Sequence, residues 1–303
     1  MIRIYISLLV AAMTLVSSRP VAAQSDSLLL RLVFVGDAGE TQNGRHPVME
    51  SLNQKSLSWS RKADYLFFMG DNIYPLGLPD QASKSYPEKK SILDKQWRDG
   101  ILAAEKLVFI AGNHDWAKGR GYGWEQVKRQ EDYIESLQLP AVSFLPGNGC
   151  PGPTELRLGN HTTAILMDSQ WWLQADGRPG ATSDCECKTE EEVLIRLKDI
   201  LYRNRNKLVL FIAHHPFLSD GIHGGYYTLK QHIFPFTEFN PHLYIPLPVL
   251  GSLYPILRGG LGNIQDLQHP RYRNMVAGID SILNQHPACI RLAGHAHGLQ
   301  HLR

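Results

Sequence analysis

The sequence predicts an α/β fold built on a parallel sheet. Three observations carry that reading. Short apolar runs of strand length recur along the chain, three of the early turns after them read Gly with Asp or Asn, and helix-patterned segments lie between. Residues 28–35 alternate and then turn wholly apolar before Gly36-Asp37-Ala38-Gly39, a strand closed by a Gly-rich turn. Residues 41–60 read as the returning helix. Residues 64–69 form the second strand and end on Gly70-Asp71-Asn72-Ile73-Tyr74. A polar loop with Pro75, Pro79 and Pro87 fills 75–90, and 91–104 is helical in pattern. The third strand, 106–111, closes on Gly112-Asn113-His114-Asp115. In such a βαβ series the polar turns share one edge of the sheet, where α/β proteins keep their sites.

The second half continues with a helix over 125–137 and a hairpin over 155–167, turning at Gly159-Asn160. Residues 168–188 read as a loop with Trp171, Trp172 and two cysteines, and 190–204 as a charged amphipathic helix. A buried strand at 207–213 runs into His214-His215-Pro216. The stretch 226–275 is rich in Pro, Tyr, Leu and Gly with little periodicity: a substrate lid, a partner surface or, as we read it, loops packed on the core. A helix over 268–284 and a strand over 288–293 follow, delivering Gly294-His295-Ala296-His297. The chain stops six residues later, so the expectation is a longer protein with a further C-terminal domain.

At 303 residues the chain holds one large α/β domain or two small ones. Its start reads as a signal peptide over 1–23: Arg3, an apolar core over 4–16, and Val21-Ala22-Ala23 as the cleavage site. That core is too short to span a bilayer comfortably, so no transmembrane segment is expected after cleavage. The expected location is secreted or periplasmic, with the catalytic domain over 24–303. Cleavage removes Arg3 and Arg19 and no acids, taking Lys+Arg from 31 to 29 against 29 Asp+Glu. A formally neutral chain argues against general affinity for nucleic acid or anionic membrane. Four cysteines, Cys150, Cys185, Cys187 and Cys289, would meet an oxidising compartment. Cys185 and Cys187 are too close to pair comfortably, whereas Cys150 with one of them would tie two loops together. A zinc site is disfavoured by the lack of a C-x-x-C pair.

Five strand ends carry metal-competent residues: Asp37; Asp71 with Tyr74; Asn113 with His114; His214; and His295 with His297. Each alone reads as a turn or a structural histidine. Together they suggest a metal site, because Asp71 offers two oxygens that can bridge two cations. Tyr74 adds a phenolate, a hard anionic oxygen suited to ferric iron.

In order, these blocks resemble the calcineurin-like metallophosphoesterases, and within them the purple acid phosphatases. The family pattern is Asp-x-Gly, Gly-Asp-x-x-Tyr, Gly-Asn-His with an acid, Val-x-x-His and Gly-His-x-His. The chain departs from it only at Phe211, which stands in place of the Val. Tyr74, together with Gly39 where the wider superfamily places a His ligand, points to the purple subgroup. The resemblance implies a four-layer α/β/β/α sandwich of mixed sheets flanked by helices. It implies two metal ions, one held by Asp37, Asp71, Tyr74 and His297, the other by Asp71, Asn113, His214 and His295. The expected pair is iron plus a divalent ion (iron, zinc or manganese), since a phenolate and an extra carboxylate favour the more oxidised metal.

The implied function is an exported phosphatase hydrolysing phosphomonoesters by attack of a metal-bound hydroxide. His114 would contact the phosphate and protonate the leaving group, tied to Asp115 and thereby more easily protonated. His223, nine residues after His214, resembles the second active-site His of the small purple phosphatases; otherwise it is a loop histidine. His215 is either a supporting group or inert. Trp116, Tyr122 and Trp124 either wall the pocket or pack. Two alternatives stand: a dinuclear phosphodiesterase acting on nucleotides or lipid head groups, and a non-catalytic metal-stabilised binding module. The expected partner is a phosphate ester, with no nucleic acid beyond a nucleotide substrate.

Overall fold

Among the described residues, eight strands make two four-stranded sheets. They are seen in a computed structural model that describes residues 28–302 apart from 239, 241, 248–249, 254–257 and 259–262. The signal-peptide expectation and part of 226–275 lie outside the described residues.

In the first sheet β1 (Leu32–Val35), β2 (Ala63–Met69), β3 (Ala104–Ile110) and β4 (Val142–Phe144) lie in sequence order, all parallel. In the second, β5 (Thr154–Arg157) pairs antiparallel with β6 (Thr162–Met167), while β6, β7 (Leu208–Ala213) and β8 (Cys289–Leu292) run parallel. Seven α-helices accompany them among the described residues: α1 (Pro47–Ser56), α2 (Tyr86–Ala103), α3 (Gly123–Ser136), α4 (Ser169–Leu173), α5 (Glu190–Arg203), α6 (Leu229–Ile233) and α7 (Pro270–Leu283). This is a mixed α/β architecture with two sheets flanked by helices; one sheet is wholly parallel and the other mixed.

The inner strands read as continuous apolar runs because both faces of a parallel sheet are covered. Leu66, Phe67 and Phe68 of β2 are fully buried, and Phe68 stacks on Phe109 of β3 at 4.4 Å. The hairpin expected over 155–167 is present as β5 and β6. On α5 the buried face is Val193, Leu197, Ile200 and Leu201, the helical period seen in the sequence. Its start is fixed by a reciprocal cap in which Thr189 accepts from the Glu192 N–H and the Glu192 side chain returns to the Thr189 N–H. On α7, Tyr272, Met275, Ile279 and Leu283 are buried, and the Tyr272 hydroxyl donates to the Pro216 carbonyl at 2.6 Å.

Several elements differ from expectation, among them the short α6 inside the stretch read as loops and α1, which is shorter than the helix expected over 41–60. Helix α2 begins at Tyr86 rather than 91, because Pro87 sits in its first turn, where its missing N–H costs nothing. The loop expected over 168–188 contains α4, started by the Asp168 carboxylate accepting from the Trp171 N–H at 3.0 Å. Strand β4 is three residues long, too short to show a period.

Cys150 bonds to Cys185, leaving Cys187 buried and unbonded. The bridge closes a separation of 35 residues. Replacing both cysteines by Ser is expected to lower unfolding free energy by about 3–4 kcal/mol, since the loop regains its freedom in the unfolded chain. Denaturant titration reads this; a loss under about 1 kcal/mol would contradict the loop-closure account.

No described helix is long and apolar enough to cross a membrane. What the fold delivers to function is the meeting of strand ends. The Asp37 N–H donates to the Gly70 carbonyl at 3.1 Å, and the Gly294 N–H donates to the His214 carbonyl at 3.0 Å. His214 Nδ1 lies 2.9 Å from the Met69 carbonyl, joining β7 of one sheet to β2 of the other.

Candidate metal centre

The turns after the strands must fold tightly to aim side chains at one point. Asp37, Asp71, His295 and His297 all adopt positive φ, at 56°, 55°, 69° and 49°. Side chains avoid that region unless the surroundings enforce it, and such strain gathers at functional sites. Two glycines make room. A Cβ at Gly112 would stand 2.3 Å from Asp71 Oδ1, and one at Gly70 would stand 2.6 Å from His214 Nδ1.

Two donor clusters result. Around the Tyr74 hydroxyl stand Asp37 Oδ1 at 3.1 Å, Asp71 Oδ2 at 3.0 Å and His297 Nε2 at 3.0 Å. Around Asn113 Oδ1 stand His214 Nε2 at 3.0 Å and His295 Nδ1 at 3.1 Å, with Asp71 Oδ1 3.4 Å from His214 Nε2. Asp71 therefore turns one oxygen to each cluster. The second cluster is buried, with His214 0% and His295 3% exposed, whereas the His297 side chain is 51% exposed.

Electrostatics differ across the centre. Burial opposes the charge of Asp71, but the His214 and His114 imidazoles outweigh it and hold its carboxyl well below the usual range. Burial pulls His214 down, and Asp71 more than reverses this, to about 9. Burial raises Asp37, as does the neighbouring Asp71 charge. Burial, then Asp71 and Asp37, push the Tyr74 phenol upward, so on its own it keeps its proton.

His114 and Asp115 are not tied together, which corrects the expectation. His114 Nδ1 lies 2.8 Å from the Pro75 carbonyl, and its ring packs on Tyr74 at 4.1 Å. Burial lowers its pKa to about 4 against the pull of Asp71, so it is harder to protonate, not easier. Asp115 points inward, fully buried. It accepts from the backbone N–H groups of Gly112 (2.8 Å), Asn72 (3.1 Å) and Ile73 (3.2 Å), and from Gln130 Nε2 (3.1 Å). Burial and the Asp71 charge raise its pKa to about 7. Asp115 staples the Asp71 turn to the Asn113 turn, and consecutive residues in a turn need not face the same way.

His223 does reach the centre, its ring 3.9 Å from that of His295. His215 is buried with Nδ1 on Ser169 Oγ and Nε2 on Gln265 Oε1, both at 2.7 Å. With both nitrogens engaged it supports the site, although it lies within ligand range of His214 and His295. Trp116 is buried and donates to Asp168 at 2.7 Å, a packing role, while Tyr122 and Trp124 are exposed. Sequence reasoning missed Gln265, Asp266 and Arg258, which sit in the stretch without periodicity and carry no local signal.

A family model described as calcineurin-like phosphoesterase matches residues 30–245. The chain belongs to the calcineurin-like phosphoesterases. The match takes in Asp37 to His223; the fold adds the 294–297 block to the same place. A stretch of 91 residues is 33% identical to tartrate-resistant acid phosphatase type 5 of Sus scrofa. It covers 29% of this chain and 26% of that protein, so the chain matches about a quarter of that relative's length. Among solved structures, GAP50, the anchor in the inner membrane complex of Plasmodium, is similar with TM-score 0.37 and 17% identity. That alignment covers 63% of this chain and 56% of the other.

Calcineurin-like phosphoesterases use a dinuclear metal centre, and the donors of this phosphoesterase fit one. Ligands about 2.1 Å from an octahedral cation stand roughly 3.0 Å apart, the spacing found within both clusters. His214 and His295 each direct their other ring nitrogen to a backbone carbonyl, Met69 and Gln265. This turns His214 Nε2 and His295 Nδ1 toward the same point, 3.3 Å apart beside Asn113 Oδ1, where a cation would take the place of the proton that Asp71 holds on His214.

Proposed function

We propose that this phosphoesterase is an exported phosphatase that hydrolyses phosphomonoesters with iron and a divalent ion (iron, zinc or manganese). The observation that carries the reading is Tyr74, whose hydroxyl sits within 3.1 Å of Asp37, Asp71 and His297. A phenol flanked by two carboxylates loses its proton only to a strongly polarising cation, and phenolate favours the ferric state. When bound, two cations supply a nucleophilic water at neutral pH and neutralise charge on the transferring phosphoryl group.

The chain's own residues do the rest. Asp71 fixes the spacing of the two halves by offering one oxygen to each. His114 Nδ1–H is anchored on the Pro75 carbonyl, which turns Nε2 toward Asp71 Oδ2 at 3.9 Å, where the ring can donate to a phosphoryl oxygen only in its protonated form. His223 stands at the rim above His295. The bridge from Cys150 to Cys185 and the apolar N-terminal run support export to an oxidising compartment.

The purified protein is expected to show a visible tyrosinate-to-iron charge-transfer band that disappears in Tyr74→Phe. It is also expected to cleave a nitrophenyl monoester in preference to the bis-ester. A colourless, iron-free yet active preparation would remove the iron assignment, and preference for the bis-ester would favour the diesterase.

A further inference from the structure

The residues just before α7 hold three histidines of the centre. The Gln265 carbonyl lies 3.0 Å from His295 Nε2, and Gln265 Oε1 lies 2.7 Å from His215 Nε2. Asp266 Oδ1 lies 2.8 Å from His223 Nδ1, and the Leu267 N–H donates to the His223 carbonyl at 2.8 Å. Gln268 Nε2 donates to the next carbonyl, Gly224, at 3.1 Å. His223 is thus held by ring and backbone together, and its side chain stays 23% exposed. Asp266 cannot turn away. Arg258 grips it with Nε at 2.7 Å and Nη2 at 2.8 Å, and the Asp266 side chain is 3% exposed. Such a two-pronged pair fixes the plane of a carboxylate as well as its place.

We propose that Asp266 is a positioning residue for His223, and Arg258 for Asp266, so that His223 Nε2 meets a phosphoryl oxygen of the substrate. With Nδ1 occupied by Asp266, Nε2 is the ring nitrogen with no partner among the described residues. A carboxylate on one imidazole nitrogen fixes the ring's orientation and which nitrogen it presents. The stretch 226–275 thereby gains a function: it reaches back and sets the rim. The proposal rests on the phosphatase reading for the chemistry of its ligand, a tetrahedral phosphate.

The test compares Asp266→Asn, Arg258→Gln, His223→Gln and the Asp266→Asn/His223→Gln pair in the metal-loaded protein. Orthophosphate affinity is read by calorimetry, with metal content, unfolding midpoint, and kcat and KM on nitrophenyl phosphate. Asp266→Asn and His223→Gln are each expected to weaken orthophosphate roughly tenfold or more, with metal content unchanged. The double variant should be no weaker than His223→Gln, since Asp266 acts through His223. Arg258→Gln should fall between the wild type and Asp266→Asn. Multiplying effects in the double variant, loss of metal in Asp266→Asn, or unchanged affinity in all three singles would each overturn the proposal. If Asp266→Asn does not fold, Arg258→Gln against His223→Gln makes the same comparison. A wild type that binds orthophosphate but leaves nitrophenyl phosphate intact sinks the monoesterase reading, and the affinity series still decides this one.

Discussion

Asp71→Asn is expected to lower turnover on the order of a thousandfold, about 4 kcal/mol of barrier, in a protein that stays folded but binds metal poorly. Asp71 is 1% exposed and turns Oδ1 toward His214 and Oδ2 toward Tyr74, at 3.4 and 3.0 Å. An amide keeps one oxygen and puts an NH2 where the other stood. One cluster then loses its shared anion and meets a donor instead. The fold should survive, because the amide keeps the size and shape of the carboxylate and Asp115 still holds the turn, although the pairing with His214 and His114 that outweighs burial of the charge is lost. Metal stoichiometry, circular dichroism and turnover on one preparation decide the matter. A folded variant with full turnover would show that Asp71 is not shared between two cations, and the mechanism would go with it.

The second large effect is expected in stability. Asp115→Ala removes the common acceptor of the Gly112, Asn72 and Ile73 N–H groups and of the Asn72 and Gln130 amides. Each buried donor left without a partner costs about 1–3 kcal/mol. Water and local relaxation recover part, so a net loss of about 3–5 kcal/mol is expected, near the top of the range for one substitution. That is a large share of a typical domain's 5–15 kcal/mol. Metal affinity should fall as well, since the N–H groups of Asn72 and Ile73 lie between Asp71 and Tyr74 in the chain. Guanidinium titration reads the first effect and metal analysis the second. A stability change within about 1 kcal/mol would mean that the turn holds its shape without Asp115.

Much of the fold was legible because its signals are local. β2, β3 and β7 are short apolar runs with a polar turn at one end, and the donor blocks sit in those turns. The face of α5 repeats with the helical period, and the Gly159-Asn160 turn marks the hairpin of β5 and β6. What was missed is short or distant. β4 is three residues and α4 is five, below the length at which a period shows. Asp266 meets His223 across 43 positions, and Gln265 meets His215 across 50. No spacing rule relates such pairs; tertiary packing alone brings them together. The tie between His114 and Asp115 failed for the opposite reason. They are neighbours in sequence, but the turn sends one toward Pro75 and the other under the Asp71 loop.

The His295 N–H donates to both oxygens of Asp37, at 3.2 and 2.9 Å, across 258 residues of chain. A growing polypeptide leaving the ribosome therefore carries Asp37 through 258 further residues before the partner residue exists. The first sheet and the β5–β7 part of the second can condense earlier from nearby pieces, but neither donor cluster can close until β8 and its turn have emerged and docked. Closure of the paired donor clusters thus waits on the turn that follows β8, whatever has folded before it.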